Sequence, residues 1–250
     1  DPVLDGLFRE GKMLGLLRCE APDELWLLAY SGKRNPSAEG VEVHGAVLPF
    51  VPPVYDITDG YFHEKESEIS EINRQIAQAL EGQIAQTREG PATGAGAVGE
   101  DIAARIEQLK LRRAMESVKL QRWTFEQYRL LNARGEEKSV LEIYADKNLI
   151  PPAATGDCAA PKLLQEAYRR GLRPLEIGEF WYGISPDGPV RGHGRFYPAC
   201  SWKCGPILNF MLQGLDVEDP VNLCGEPRIL AVDEDIIVVD KPSGMAVHPS

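Results

Sequence analysis

The sequence places Cys158 directly after Gly156-Asp157 and ahead of an apolar helical pattern. There the helix dipole and the free amides of a first turn could lower a thiol pKa and produce a nucleophile. Such a cysteine also needs a base, and His193 is the nearest later candidate. Cys200 and Cys204 form a C-x3-C pair that Cys158, Cys224 or His193 could complete into a tetrahedral zinc set of sulfur and imidazole ligands. A structural zinc ribbon carries two such pairs and this chain has one, so the expectation is no bound metal and packed, inert thiols. Around these residues, Trp181, Tyr182, Phe196, Tyr197 and Trp202 interleave with Arg191, Arg195 and Lys203. Unpaired bases could stack on the rings beside phosphate contacts from the cations, with core packing as the alternative.

A second set of cations lies upstream. Between Arg105 and Lys138 there are nine Lys or Arg against five Glu, although the whole chain carries a net charge of −11. An acidic chain does not grip nucleic acid over its whole surface, but this stretch could face phosphate through Arg112, Arg113, Lys119 and Arg122. The competing reading is a solvated helix face laced with Glu/Lys pairs.

These residues need elements to position them. At 250 residues the chain can bury a core without a disulfide or metal staple. With 26% charged residues it offers no run near the ~18 apolar residues of a membrane span. Five scattered cysteines fit a reduced thiol set, no signal peptide can be read from the first residues, and a cytoplasmic location is expected. Residues 11–32 read as two strands around the turn-prone Ala21-Pro22-Asp23. Ile69, Ile72, Ile76, Leu80 and Ile84 then recur at helical spacing, and a second helical pattern runs from about Asp101 to Asn132 beyond the Gly/Ala-rich break at 90–99. Further on come a helix from about Ala159 to Arg170, stopped by Gly171, the aromatic strand at 179–183, and a helix from about Pro206 to Gln213, stopped by Gly214. The expected fold class is α+β. It comprises a β-rich part at 1–60, a helical hairpin at 61–134, an α+β part at 135–215, a linker at 216–227 and a new domain opening at 228–250.

That last segment is RILAVDEDIIVVDKPSGMAVHPS. Ile229–Val232 and Ile236–Val239 are β-branched runs flanking the acidic turn Asp233-Glu234-Asp235, so they read as a hairpin, followed by a tight Lys241-Pro242-Ser243-Gly244 turn and a third short strand. The string resembles the opening of the catalytic domain in the RluA family of pseudouridine synthases, where a strand, an acidic turn, a Val-rich strand, a Lys-Pro-x-Gly turn and a His-Pro follow in this order. Residues 156–182 and the LNARGE string at 131–136 resemble the long N-terminal extension of one bacterial group in that family.

The resemblance implies the first strands of a mainly antiparallel synthase sheet, and isomerisation of uridine to pseudouridine in ribosomal or transfer RNA without metal or organic cofactor. The uridine is flipped from its stack and an aspartate promotes glycosidic cleavage. That aspartate belongs to a downstream His-Arg-Leu-Asp motif that does not occur in these 250 residues, so the chain alone is expected to be inactive, with no catalytic residue of its own. Lys241, Pro242 and Gly244 match the family's first motif and are implied active-site framework. A noncatalytic RNA- or partner-binding module and a cysteine-dependent enzyme centred on Cys158 are the competing readings.

Overall fold

The computed structural model describes residues 2–22, 25–32, 40–43, 46–55, 60–88, 95–185, 191–217, 228–232 and 236–240. In chain order they form α1 (Pro2–Phe8), β1 (Lys12–Glu20), β2 (Leu25–Tyr30), β3 (Val41–Val43), β4 (Ala46–Leu48), α2 (Gly60–Arg88), α3 (Ala95–Gln127), β5 (Arg129–Leu131), β6 (Glu137–Ser139), α4 (Val140–Ala145), α5 (Ala159–Arg169), β7 (Arg173–Tyr182), β8 (Phe196–Tyr197), α6 (Gly205–Met211), β9 (Arg228–Val232) and β10 (Ile237–Asp240). The fold is α+β, and its named strands pair antiparallel. Two compact units result, one of residues 1–55 with 128–250 and one of residues 56–127. None of the described helices is long and apolar enough to cross a membrane.

The first unit is built on a four-stranded sheet of order β2-β1-β7-β8. Its register sets Gly15 opposite both Ala29 and Glu179, so these three share a face. Helix α5 lies on that face, burying Ala159, Ala160, Leu163, Leu164 and Ala167. Gly15 permits the close approach, because a Cβ there would stand 2.8 Å from the Ala159 Cβ and 3.0 Å from the Leu163 Cδ1. On the opposite face Leu14, Leu28, Tyr30 and Tyr182 pack with Leu4 and Phe8 of α1. Helix α1 has no counterpart in the sequence reading. Seven residues are too few to show a period, and a helix this short is held by docking rather than propensity. Phe8 stacks 5.2 Å from Tyr30, and Asp5 accepts a 2.8 Å hydrogen bond from the Tyr182 hydroxyl.

Where helix was expected to run on to about Asn132, α3 ends at Gln127 and the chain turns into the β5–β6 hairpin. Side chains explain the switch. The Gln165 amide accepts from the Leu131 N–H at 2.9 Å and donates to the Arg129 carbonyl at 3.1 Å, so α5 supplies the edge that β5 lacks. Asn132 closes the turn, its Oδ1 accepting the N–H groups of Arg134 and Glu136 at 3.0 and 2.9 Å. Ser139 then caps α4 in a reciprocal capping box with Glu142. Ser139→Ala should therefore lower stability by about 1 kcal/mol in urea denaturation, the usual worth of such a cap.

In the second unit α2 and α3 run antiparallel: Tyr61 stacks 4.8 Å from Trp123, and Glu68 meets Arg112 at 3.0 Å. Ile72 and Ile106 are its buried aliphatics. In the first unit β9 and β10 form a hairpin with Ile237 opposite Val232. The expected third strand falls outside the described residues.

Candidate nucleic-acid interface and the thiol cluster beside it

Trp181 and Glu179 are two residues apart on β7, and Tyr197 of β8 pairs with Glu179, so all three side chains share the α5 face of the sheet. The Arg191 guanidinium lies 5.0 Å over the Trp181 ring and 5.8 Å from the Tyr197 ring, which is cation–π geometry. Its charge also acts on the Glu179 carboxyl. Backbone bonds fix the loop that presents it: Gly194 N–H donates to the Trp181 carbonyl at 2.7 Å, and Trp181 N–H to the Arg195 carbonyl at 3.0 Å. Arg195 folds back over Gly192, where a Cβ would lie 2.8 Å from its Cδ. His193 serves the same loop, its Nδ1 accepting the Gly183 N–H at 3.0 Å and its ring meeting Tyr182 at 4.6 Å.

The aromatic set grouped by sequence is divided by the pleat. Phe196 points to the other face, 5.8 Å from Phe180 and 55% exposed, and Tyr182 is part of the α1-side core. Trp202 is 52% exposed with the Lys203 ammonium 4.8 Å above it. In the helical unit, Arg112, Lys119 and Arg122 each meet a glutamate, Glu68, Glu116 and Glu126 respectively, at 3.0, 2.7 and 3.4 Å. Arg113 is exposed on the same helix. The Arg122–Glu126 pair is open to solvent on both sides and such pairs are worth little, whereas Glu116 is largely buried. Lys241, Pro242 and Gly244 lie outside the described residues.

Cys158 is the N-cap of α5 and Cys204 that of α6. Its neighbour Cys158 holds the Cys204 thiol below its ordinary pKa in spite of burial, and the Gly156 and Cys158 amides act in the same direction. Cys158 moves the opposite way. Its interaction with Cys204, burial, and the nearby Glu179 and Cys200 push its thiol up. The helix start therefore does not lower the Cys158 pKa, which was the alternative to a packed thiol that the sequence offered. The interaction with Cys204 and burial are the main causes, and Glu179 adds to them; its carboxylate takes the first-turn amides of α5, Ala160 N–H at 3.1 Å and Ala159 N–H beside it. Burial raises the Glu179 pKa in spite of those bonds. His193, committed to Gly183, is not the group that faces the thiols; Glu179 is. Among the described residues no three His, Cys, Asp or Glu converge in a way that could hold a metal ion, and Cys224 lies outside them.

One helical turn further along α5, Lys162 is buried, donating to the Gly32 carbonyl and, at 2.9 Å, to the Tyr30 carbonyl. Asp157 accepts from the Tyr128 hydroxyl at 3.1 Å, and its own carbonyl accepts the Gly32 N–H at 2.8 Å. Glu179, Lys162 and Asp157 were not singled out from sequence. Their one signal is a charge inside an otherwise apolar pattern, as in AAPKLLQEAY and EFWYG. In comparisons with known proteins, no family model, curated protein or solved structure matched this chain.

Proposed function

We propose that residues 228–250 open the catalytic sheet of an RNA pseudouridine synthase of the RluA type, that the preceding residues are its N-terminal extension, and that downstream sequence supplies the catalytic aspartate. The observation carrying this reading is the string RILAVDEDIIVVDKPSGMAVHPS together with its geometry. Its first two segments pair as β9–β10, yet Leu230, Ile236, Val238 and Val239 are 45–60% exposed on it. An isolated two-stranded hairpin is marginal in water, and apolar residues exposed on it favour a sheet that continues. The test compares the 250-residue chain with the same chain extended by ~200–250 residues, a typical added domain, on unmodified ribosomal and transfer RNA, mapping pseudouridine. Isomerisation is expected only with the extended protein. Pseudouridine formed by the shorter chain, or by neither on any RNA, would defeat the reading.

Within it, the Arg191 platform is the part of the extension suited to RNA, because a guanidinium on two rings offers charge and a stacking plane together. Arg191→Ala should weaken binding of a single-stranded RNA by about 5–50-fold and lower the salt slope by about 1, as expected for a lost phosphate contact with stacking. Arg191→Lys should restore the slope but not the full affinity. Fluorescence anisotropy over a salt series reads both, and unchanged binding in the alanine variant would remove this surface from the proposal.

A further inference from the structure

We infer that the cleft where the β5–β6 turn meets the ends of α5 and α6 binds a nucleoside monophosphate unit, free or within an RNA chain. The cleft has a volume of about 390 Å³, inside the range of small-ligand sites. Leu131, Tyr168, Leu172, Pro174 and Leu215 line it, which is apolar surface enough for one flat ring. Bare backbone completes the wall. Gly135, Gly171 and Gly214 line the cleft at φ of 80°, 66° and 102°, the left-handed residues of the hairpin turn and of the two helix ends. A Cβ on Gly135 or Gly171 would meet nothing within 4 Å, so these turns leave the space open. The Gly214 N–H has no hydrogen-bond partner among the described residues, and the wall thus keeps a donor for a base carbonyl.

Charge selects an anion. In a chain of net charge −11, no residue lining this cleft is acidic. Arg173 lines it, and the Arg134 side chain runs along its edge, since a Cβ on Gly214 would stand 2.7 Å from the Arg134 Cγ. Arg134 has no ion pair among the described residues, and Arg173 meets Glu20 at 3.3 Å in an exposed pair that a phosphate can displace at little cost. Two helix C-termini would oppose an anion, but their carbonyls are occupied. The Tyr168 and Leu212 carbonyls accept the Gly171 and Leu215 N–H groups at 3.0 and 3.1 Å, and the Met211 carbonyl accepts the Tyr168 hydroxyl at 2.8 Å. A ring in the cleft with its phosphate at the two arginines uses the apolar wall and the cationic rim together, which neither inorganic phosphate nor an uncharged nucleoside does. The choice of a nucleotide over another flat anion rests on the RNA reading proposed above; the preference for a flat anion does not.

The experiment titrates the isotope-labelled 250-residue chain with uridine monophosphate, uridine, inorganic phosphate, phenyl phosphate and a short oligouridylate, following backbone amide shifts by NMR. The Gly135, Gly171 and Gly214 amides are expected to move together with millimolar uridine monophosphate, and less with uridine or phosphate alone. Arg134→Ala and Arg173→Ala should each weaken that binding by about 3–10-fold, the scale of one charged contact, and leave uridine unaffected. The wild-type shift map decides by itself if either variant fails to fold. Tighter binding of the oligouridylate assigns the RNA chain as the source, and tighter binding of the monophosphate assigns the free nucleotide. Shifts confined to Trp181 and Tyr197, no response of the three glycines, or equal binding of phenyl phosphate or inorganic phosphate overturns the inference. Glycine shifts beside an extended chain that forms no pseudouridine keep the cleft and sink the synthase reading, and pseudouridine without glycine shifts does the reverse.

Discussion

Lys162→Ala is expected to destabilise the first unit by about 3 kcal/mol, the combined scale of an emptied side-chain volume and buried carbonyls deprived of a donor. The amine sits 4.8 Å from the Tyr30 ring and binds the carbonyls of Tyr30 and Gly32, so it ties the end of β2 to the first turn of α5. Lys162→Met keeps the volume but not the donors and should recover part of the loss. The pair of variants separates packing from hydrogen bonding in guanidinium unfolding.

The same residue gives a pH signature of definite sign. Burial draws the proton off Lys162 while Asp157 holds it on; burial wins, and the pKa falls from 10.5 to about 8. The folded pKa is therefore below the unfolded one, and between them the unfolded chain binds more protons. The penalty of keeping this charge buried is full below pH ~8 and is relieved as pH rises towards ~10.5. Relative to Lys162→Met, the wild type should gain up to about 3 kcal/mol across that window. Parallel stability curves for the two proteins would mean that the buried amine keeps its ordinary pKa.

Glu179→Ala should be comparably damaging, at about 2–5 kcal/mol, since the Ala159 and Ala160 amides are left buried without an acceptor. Glu179→Gln retains a carbonyl oxygen for them and should lose far less. The carboxyl is raised above 4.5 by burial, so the folded state binds this proton more tightly than the unfolded chain does. Its contribution to stability is most favourable in acid and declines as pH rises through the folded value, a decline that Glu179→Gln abolishes. Removing the charge beside Cys158 should also speed its alkylation at neutral pH. Thermal melts from pH 4 to 8 and timed iodoacetamide labelling check the two effects, and unchanged labelling would separate Glu179 from the thiols.

How far sequence reached depends on whether neighbours in space are neighbours in the chain. The β1–β2 hairpin and the α5 stripe ended by Gly171 are local patterns, and the structure has both. The helical pattern runs past Gln127 in sequence because Phe125 and Tyr128 keep its apolar spacing; what ends it is Gln165, more than thirty residues away. The site follows the same rule. Arg191, Trp181 and Tyr197 were grouped by proximity and do meet, whereas Phe196, adjacent to Tyr197, faces the other way because a strand alternates. Cys158 was placed at a helix start, but nothing local reveals that Glu179 occupies the amides there, since that depends on which strand β7 pairs with.

The pairing of β1 with β7 also sets a schedule for synthesis. Lys12 finds its partner only in Tyr182, and at ribosomal rates of about 5–20 residues per second the first strand waits on the order of 10–30 s for it. During that interval β1 has β2 alone, while the α2–α3 pair, a compact unit by itself, is free to form as it emerges. The last-made strands of the sheet thus act as a clasp, and nascent chains stalled before residue 182 should expose Leu14 and Leu17 to chaperones.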